Sequence, residues 1–289
     1  MISIIIATRD RASYLLRALD SLERQIDAPP FEVIVVDNGS TDETPQIARA
    51  AAGRFALTYL HEAEPNRGAA RNRGLARAGG ELIAFIDDDV WLPQRFLAAH
   101  AAAHAAEASL AVSGPIINVP SYDVMPRPTP ANYSRAFFCT CNVSLPKAAL
   151  EAAGGFDERF RLYGWEDTEL GLRLRESGLR RRFAWDAFLY HIKPPARDTL
   201  DVATRRTIEK ARMAARLIQT APSLRTRLAT GAYPLNLARA RLIAPRWVLP
   251  LYAGVATQTR IPALAGFARG LLLDGLYVDE LGRALGGRL

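Results

Sequence analysis

The stretch Ile2-Ser-Ile-Ile-Ile-Ala7 is apolar at all but one position and rich in β-branched residues. A strand sends successive side chains to opposite faces, so a run of this kind belongs where both faces are buried, as in a parallel sheet covered by helices. The chain then repeats the pattern. Residues 12–25 place Leu15, Leu16, Leu19 and Leu22 at helical spacing, and Phe31-Glu-Val-Ile-Val-Val36 is a second strand. The spacing next predicts a helix over 42–52 capped by Thr41 or Asp42, a strand over 57–60, a helix over 69–78 and a strand over 81–86. Strands and helices alternating through short connections define an α/β fold with a mostly parallel, Rossmann-like sheet flanked by helices.

Past residue 86 the regularity loosens. An alanine-rich helix over 94–106 leads to an apolar stretch over 110–119 and a loop punctuated by Pro120, Pro126, Pro128 and Pro130. A strand-like segment over 137–145 and a helix over 167–177, closed by Gly178, complete this part. From residue 195 onward the chain reads as arginine-studded helices broken by Pro222, Pro234, Pro245, Pro250 and Pro262. The expected division is a domain over 1–194, with halves 1–90 and 91–194, followed by a basic helical region over 195–289.

The 289 residues are 49% hydrophobic, enough to bury a large core, which excludes a disordered chain, a collagen-like fibre or a disulfide-stapled miniprotein. The net charge of +7 is unevenly spread: residues 1–194 carry 22 Lys+Arg against 24 Asp+Glu, residues 195–289 carry 15 against 6. The basicity therefore belongs to the tail, and no nucleic-acid-binding module accompanies it. Cys139 and Cys141 stand two apart, an awkward spacing for a disulfide on a strand and too few thiols for a zinc site, so a reducing cytoplasm is the expected compartment. No signal peptide is visible, and the longest uncharged run of the tail, 247–259, is interrupted by Pro250 and too short to span a bilayer.

Asp87-Asp88-Asp89 follows the fourth strand directly, where open α/β sheets bind ligands. Three adjacent carboxylates repel unless something positive lies between them, and a hard divalent cation, Mg2+ or Mn2+, meets that need while leaving positions for a diphosphate. The bland alternative is a solvated acidic turn. Val36-Asp37-Asn38-Gly39 ends the second strand in the equivalent place, with Asp37 able to accept hydrogen bonds from a base or ribose. Asn66-Arg67-Gly68-Ala69-Ala70-Arg71 sets arginine and asparagine at a helix start, an arrangement suited to phosphate. The first strand–helix turn, Ala7-Thr-Arg-Asp-Arg11, lacks glycine, so the dinucleotide fingerprint of a dehydrogenase is missing.

Taken in order, Ser3 to Thr8, Val36 to Asp42, Asn66 to Asn72 and Phe85 to Asp89, with Gly154-Gly-Phe-Asp-Glu158 and Gly164-Trp-Glu-Asp-Thr-Glu-Leu170, this sequence resembles the family 2 glycosyltransferases of GT-A fold over residues 2–192. The resemblance implies an inverting, metal-dependent transfer from a nucleotide-sugar, by family habit a UDP- or dTDP-sugar, to a glycan, lipid-linked or small-molecule acceptor, as in bacterial polysaccharide biosynthesis. It implies donor contacts from Thr8, Arg9, Asp37, Asn66, Arg71, Asp87 and Asp88, and Mn2+ or Mg2+ on Asp89 and Asp87 with His191 completing the shell. It further implies Asp167, beside Glu166, as the general base, with Gly155, Phe156 and Trp165 on the acceptor side. A helix N-terminus would favour ionised Asp167. Asp10 stands where the family often has asparagine. The reading to set against catalysis is a nucleotide-sugar- or glycan-binding relative serving as an assembly partner.

In the tail, residues 204–219 put Ile208, Ala211, Ala215 and Ile218 on one helical face with arginines largely elsewhere, and Trp247 to Tyr252 and Tyr277 add aromatic surface. This pattern suits a helix lying on an anionic membrane, peripheral on the inner face, and equally suits a helical subdomain packed in the ordinary way. Homodimerisation through 264–285 stays open.

Overall fold

The computed structural model describes residues 1–105, 107, 109–134, 138–194, 198–258 and 260–286. The elements are β1 (Ile2–Thr8), α1 (Ala12–Glu23), β2 (Phe31–Asp37), α2 (Thr44–Ala51), β3 (Leu57–His61), α3 (Arg67–Arg77), β4 (Leu82–Ile86), β5 (Val90–Trp91), α4 (Phe96–Ala105), β6 (Leu110–Ser113) and β7 (Ile116–Val119). They continue as β8 (Asn142–Pro146), α5 (Lys147–Ala152), α6 (Glu166–Glu176), β9 (Arg180–Phe183), β10 (Leu189–Ile192), α7 (Leu200–Thr220), α8 (Leu224–Ala229), α9 (Pro234–Ile243), α10 (Leu249–Ala256) and α11 (Pro262–Ala284). Two compact units result, one of residues 1–161 and 166–194, the other of 162–165 with 195–289. The boundary expected at 195 falls on residues outside those described.

In the first unit a seven-stranded sheet runs β3-β2-β1-β4-β8-β6-β9, and β5, β10 and β7 form a second, three-stranded sheet. The first four strands are parallel; β8 enters antiparallel to β4 and β6. The continuous apolar run of β1 is explained by two separate cores. Ile2, Ile4 and Ile6 pack with Leu15, Leu19 and Leu22 of α1, while Ile5 packs on the other face with Ala70 and Leu75 of α3. Val33 and Val35 against Ile34 and Val36 divide β2 in the same way. Gly74 lets α3 approach closely, since a Cβ there would lie 2.6 Å from a methyl of Ile5.

Helix starts differ from the expected ones for local reasons. α2 begins at Thr44, because the Asp42 carboxylate accepts the amides of both Thr44 and Ala12 at 3.0 Å and ties the loop to α1. α3 begins at Arg67, two residues earlier than expected, since Asn66 is the N-cap and accepts from the Ala69 amide at 3.2 Å. The apolar stretch 110–119 is two strands, broken at Gly114-Pro115.

The second unit is helical, with α7 packed on α11 through Ala211, Ala214, Ala215, Ile218 and Leu281. Residues 162–165 belong to this unit: the Trp165 indole donates to the Lys210 carbonyl at 2.9 Å, and Lys210 and Arg206 lie over the Trp165 and Tyr163 rings. No helix among the described residues is long and apolar enough to cross a membrane.

α4 is fixed to β8 by a buried histidine. Asn142 donates its amide to the Ala187 carbonyl, so its oxygen faces His100 Nε2 at 3.0 Å, and that nitrogen carries the proton. Ser144 then donates to His100 Nδ1 at 2.7 Å and accepts from His104 Nε2 at 2.8 Å. Burial pushes His100 down to about 4, below its ordinary value near 6.5. The unfolded chain therefore binds the extra proton first, so the stability carried by neutral His100 is complete above pH 6.5 and is lost as pH falls from 6.5 toward 4, by about 2–3 kcal/mol. Urea denaturation across this window should show a shallower acid slope in His100→Gln than in the wild type. Equal slopes would contradict the assignment.

Candidate active site

The strand order reverses between β1 and β4, and the ends of β1, β2 and β4 meet at that switch point. The register sets Thr8 opposite Asp37 and Ile6 opposite Ile86, so Thr8 and Asp88 project beyond neighbouring strands into one place. Thr8 donates to Asp88 Oδ2 at 2.7 Å. Arg11, which enters from the β1–α1 loop, donates to Asp88 Oδ1 at 2.9 Å and also to Asp89. The positive charge that the aspartates require is thus supplied partly by a side chain that the sequence motifs do not single out. Arg9, the expected donor contact, is exposed and lies 3.6 Å from Asp10. Asp10 takes a left-handed backbone conformation at φ 50°, which aspartate tolerates, and its carboxylate accepts the Thr41 amide at 2.7 Å and holds the two loops together.

Asp37 is fully buried, with one oxygen accepting from the Ser40 amide at 2.8 Å and the other from the Tyr59 hydroxyl at 2.7 Å. Each oxygen keeps a second acceptor position. Asn38 accepts from the Asn66 amide at 2.9 Å, which fixes the start of α3 against the end of β2.

Asp88 points to Thr8 and Arg11; Asp89 lies 3.1 Å from His191 Nε2 on β10, whose register partner is Val90 of β5. Ligand atoms of Asp87, His191 and Cys141 lie within 4.8 Å of one another. One carboxylate, an imidazole and a buried thiol thus converge, with Asp89 beside them through His191, a donor set able to hold a divalent cation. Cys141 is the component that cysteine arithmetic sets aside. One residue before β8 begins, it reaches the cluster because β8 pairs antiparallel with β4 and brings that end of the strand beside Ile86. Burial pushes its thiol well above the ordinary range, and nearby Asp87 adds to the shift.

Arg71 joins the two acidic motifs. Its guanidinium is 3.3 Å from Glu166, 3.6 Å from Asp87 and 5.6 Å over the Phe156 ring. The second oxygen of Glu166 is buried and meets no partner among the described residues. Asp167 is half-buried and accepts its neighbour Thr168's amide at 2.7 Å. Burial, with the charge of Glu166 adding to it, pushes the Asp167 carboxyl up to about 6, against the pull of Arg71. Burial likewise lifts Asp88 to about 7, whereas His191 and Arg11 overcome burial at Asp89 and hold it at about 2.

Gly155 and Phe156, expected on the acceptor side, pack against β4 and α3. Phe156 is buried edge-on to Phe85 at 5.4 Å, and its amide donates to Asn72 at 2.7 Å. Gly155, at φ 70°, would set a Cβ 2.6 Å from that same Asn72 side chain. Trp165 stands in the second unit, held to Lys210.

A doubly covered sheet with acidic strand ends at its switch point and acids on both sides of an arginine is the arrangement of the GT-A class of fold. Residues 3–156 match Glycosyl transferase family 2, so the chain belongs to that family. Residues 123–194 also match a family described as the N-terminal domain of galactosyltransferase. A validoxylamine A glucosyltransferase of Streptomyces hygroscopicus subsp. limoneus is 32% identical over 220 residues, covering 62% of this chain and 49% of the relative. The chain thus spans about half the length of that relative. Among solved structures, the mannosyltransferase PcManGT of Pyrobaculum calidifontis, in complex with GDP-Man and Mn2+, superposes with a TM-score of 0.63 at 22% identity over 98% of this chain and 86% of that one. S. aureus TarS 1–349 in complex with UDP-GlcNAc gives 0.58 at 22% identity, over 99% and 92%. At such identities the likeness speaks for the fold.

Arg11→Met removes a partly buried partner from two carboxylates and should cost about 2 kcal/mol of stability in metal-free protein. Added Mn2+ should shrink that deficit in a thermal melt, because a cation at the cluster restores positive charge. An unchanged melting temperature in the variant would overturn this account of the cluster.

Proposed function

We propose that the protein is an inverting glycosyltransferase that moves a sugar from a nucleotide-sugar, of the UDP or dTDP class, to a hydroxyl of a glycan, lipid-linked or small-molecule acceptor. The observation that carries the reading is Arg71, which ties Asp87 of the β4 end to Glu166 at the start of α6 and so brings the donor-side and base-side acids into one site.

On this reading Asp37, Thr8 and the start of α3 hold the nucleotide, with Arg71 and the helix terminus serving the phosphates. Asp89, Asp87 and His191 would hold Mn2+ or Mg2+, which supplies positive charge for the leaving diphosphate. Asp89, held ionised by His191 and Arg11, is suited to be a ligand at any physiological pH. Asp167 takes the proton from the acceptor hydroxyl as that oxygen attacks the anomeric carbon. A carboxyl at about 6 is mostly ionised at neutral pH yet basic enough to accept a proton in the transition state. Cytoplasmic action is part of the proposal.

Donor identity is read from thermal shifts across a nucleotide-sugar panel with and without Mn2+, since binding stabilises the folded state. With that donor, Asp167→Asn should lower kcat by about 10²- to 10⁴-fold while donor binding persists. The wild-type rate should fall as pH drops through about 6, where Asp167 takes up its proton. Glu166→Gln should move that limb to lower pH, because a repelling charge is gone. Full activity of Asp167→Asn, or an unmoved limb in Glu166→Gln, would contradict the assignment.

A further inference from the structure

The face of α7 that the sequence offers to a membrane is consumed inside the fold: Ala211, Ala215 and Ile218 are buried with Leu281 of α11, and the Tyr277 hydroxyl donates to the Thr230 carbonyl at 2.8 Å. A different surface is left open. Of the fifteen large apolar side chains exposed among the described residues, ten lie between 224 and 267. On α9, Leu235 and Leu242 are seven residues apart and share the side opposite buried Leu237 and Ala240. Leu228 on α8, Trp247 just before α10, Leu251 within it and Phe267 on the first turns of α11 extend the exposure, with Trp247 at 82% and Leu242 at 83%. Single exposed apolar residues are ordinary, but a run of them confined to one segment marks an interaction surface.

The charge of the same segment selects the partner. Residues 210–273 contain ten Lys+Arg and no Asp or Glu. The carboxylates that pair with its arginines, Glu280, Asp274, Asp279 and Asp198, all lie outside it. Arg225, Arg227, Arg241 and Arg260 are exposed and form no ion pair among the described residues. A second copy of this surface would meet the first with like charge and nothing to neutralise it. A nucleic acid would use the arginines and leave the leucines in water. An anionic phospholipid bilayer answers both, with phosphate for the cations and acyl chains for the apolar side chains.

We propose that α8, α9, α10 and the first turns of α11 dock on an anionic phospholipid bilayer, with Leu242 and Trp247 entering the acyl boundary and the four unpaired arginines on headgroup phosphates. The full chain should co-sediment with phosphatidylglycerol–phosphatidylcholine vesicles at least about tenfold more tightly than with phosphatidylcholine alone, and raised salt should weaken it. Tryptophan emission should shift to the blue on binding in the wild type and not in Trp247→Ser. The quadruple variant Arg225→Gln, Arg227→Gln, Arg241→Gln and Arg260→Gln should lose at least about tenfold in affinity, with an unchanged thermal melt because all four side chains are exposed. Absence of binding to anionic vesicles, equal binding to neutral ones, or a dimer that shields Trp247 without lipid would each overturn the proposal. No sugar donor enters this measurement, so its failure and that of the transfer reading are separate results.

Discussion

Five carboxylates, of Asp87, Asp88, Asp89, Glu166 and Asp167, gather about Arg71 and Arg11, and the charge they bring together must be answered from within the protein. Arg11 and Arg71 provide the charge and His191 a partner for Asp89, each from a different element. Arg11 is delivered by the loop after β1, Arg71 by the first turn and a half of α3, and His191 by β10 of the smaller sheet. The distribution is unequal, and the inequality separates the acids. Asp89, between Arg11 and His191, stays ionised; Asp88 and Asp167, where burial outweighs their cationic partners, rise toward neutral pH. Acids of one type thereby become suited to different work, one to ligate and one to accept a proton.

The scaffold places these groups by ordinary packing. Two cores on opposite faces of β1, β2 and β4 fix the strand ends, and the close approach of α3 at Gly74 fixes the height at which Asn66 and Arg71 stand. Phe156 and Asn72 then hold the segment before α6 against α3. The invariable consequence of such a design is that a side chain with no substrate contact can still set the geometry of one that has it.

The parallel part of the fold was legible because β1, β2 and β4 are buried on both faces, and such strands leave continuous apolar runs. The motifs at their ends were legible for the same reason, since each begins where an apolar run stops. What the chain hides is pairing over long separations. Nothing local in Asn142 to Pro146 says that β8 runs antiparallel beside β4, and so nothing local shows that Cys141 will stand beside Asp87 and His191. Arg11 was hidden in a loop rich in charge, where only the fold says which arginine turns inward. The amphipathic pattern of α7 was read correctly as one-sided, but periodicity cannot say whether an apolar face meets a bilayer or another helix, and here it meets α11.

On the proposed reading the acids divide between holding a cation with the nucleotide and taking the acceptor's proton. Calorimetric titration of Mn2+ with UDP into the wild type, Asp89→Ala and Asp167→Asn tests the division directly. Binding of the pair to the wild type and to Asp167→Asn alike, with its loss in Asp89→Ala, is the expected result. Undiminished binding to Asp89→Ala, or loss of binding in Asp167→Asn, would contradict it.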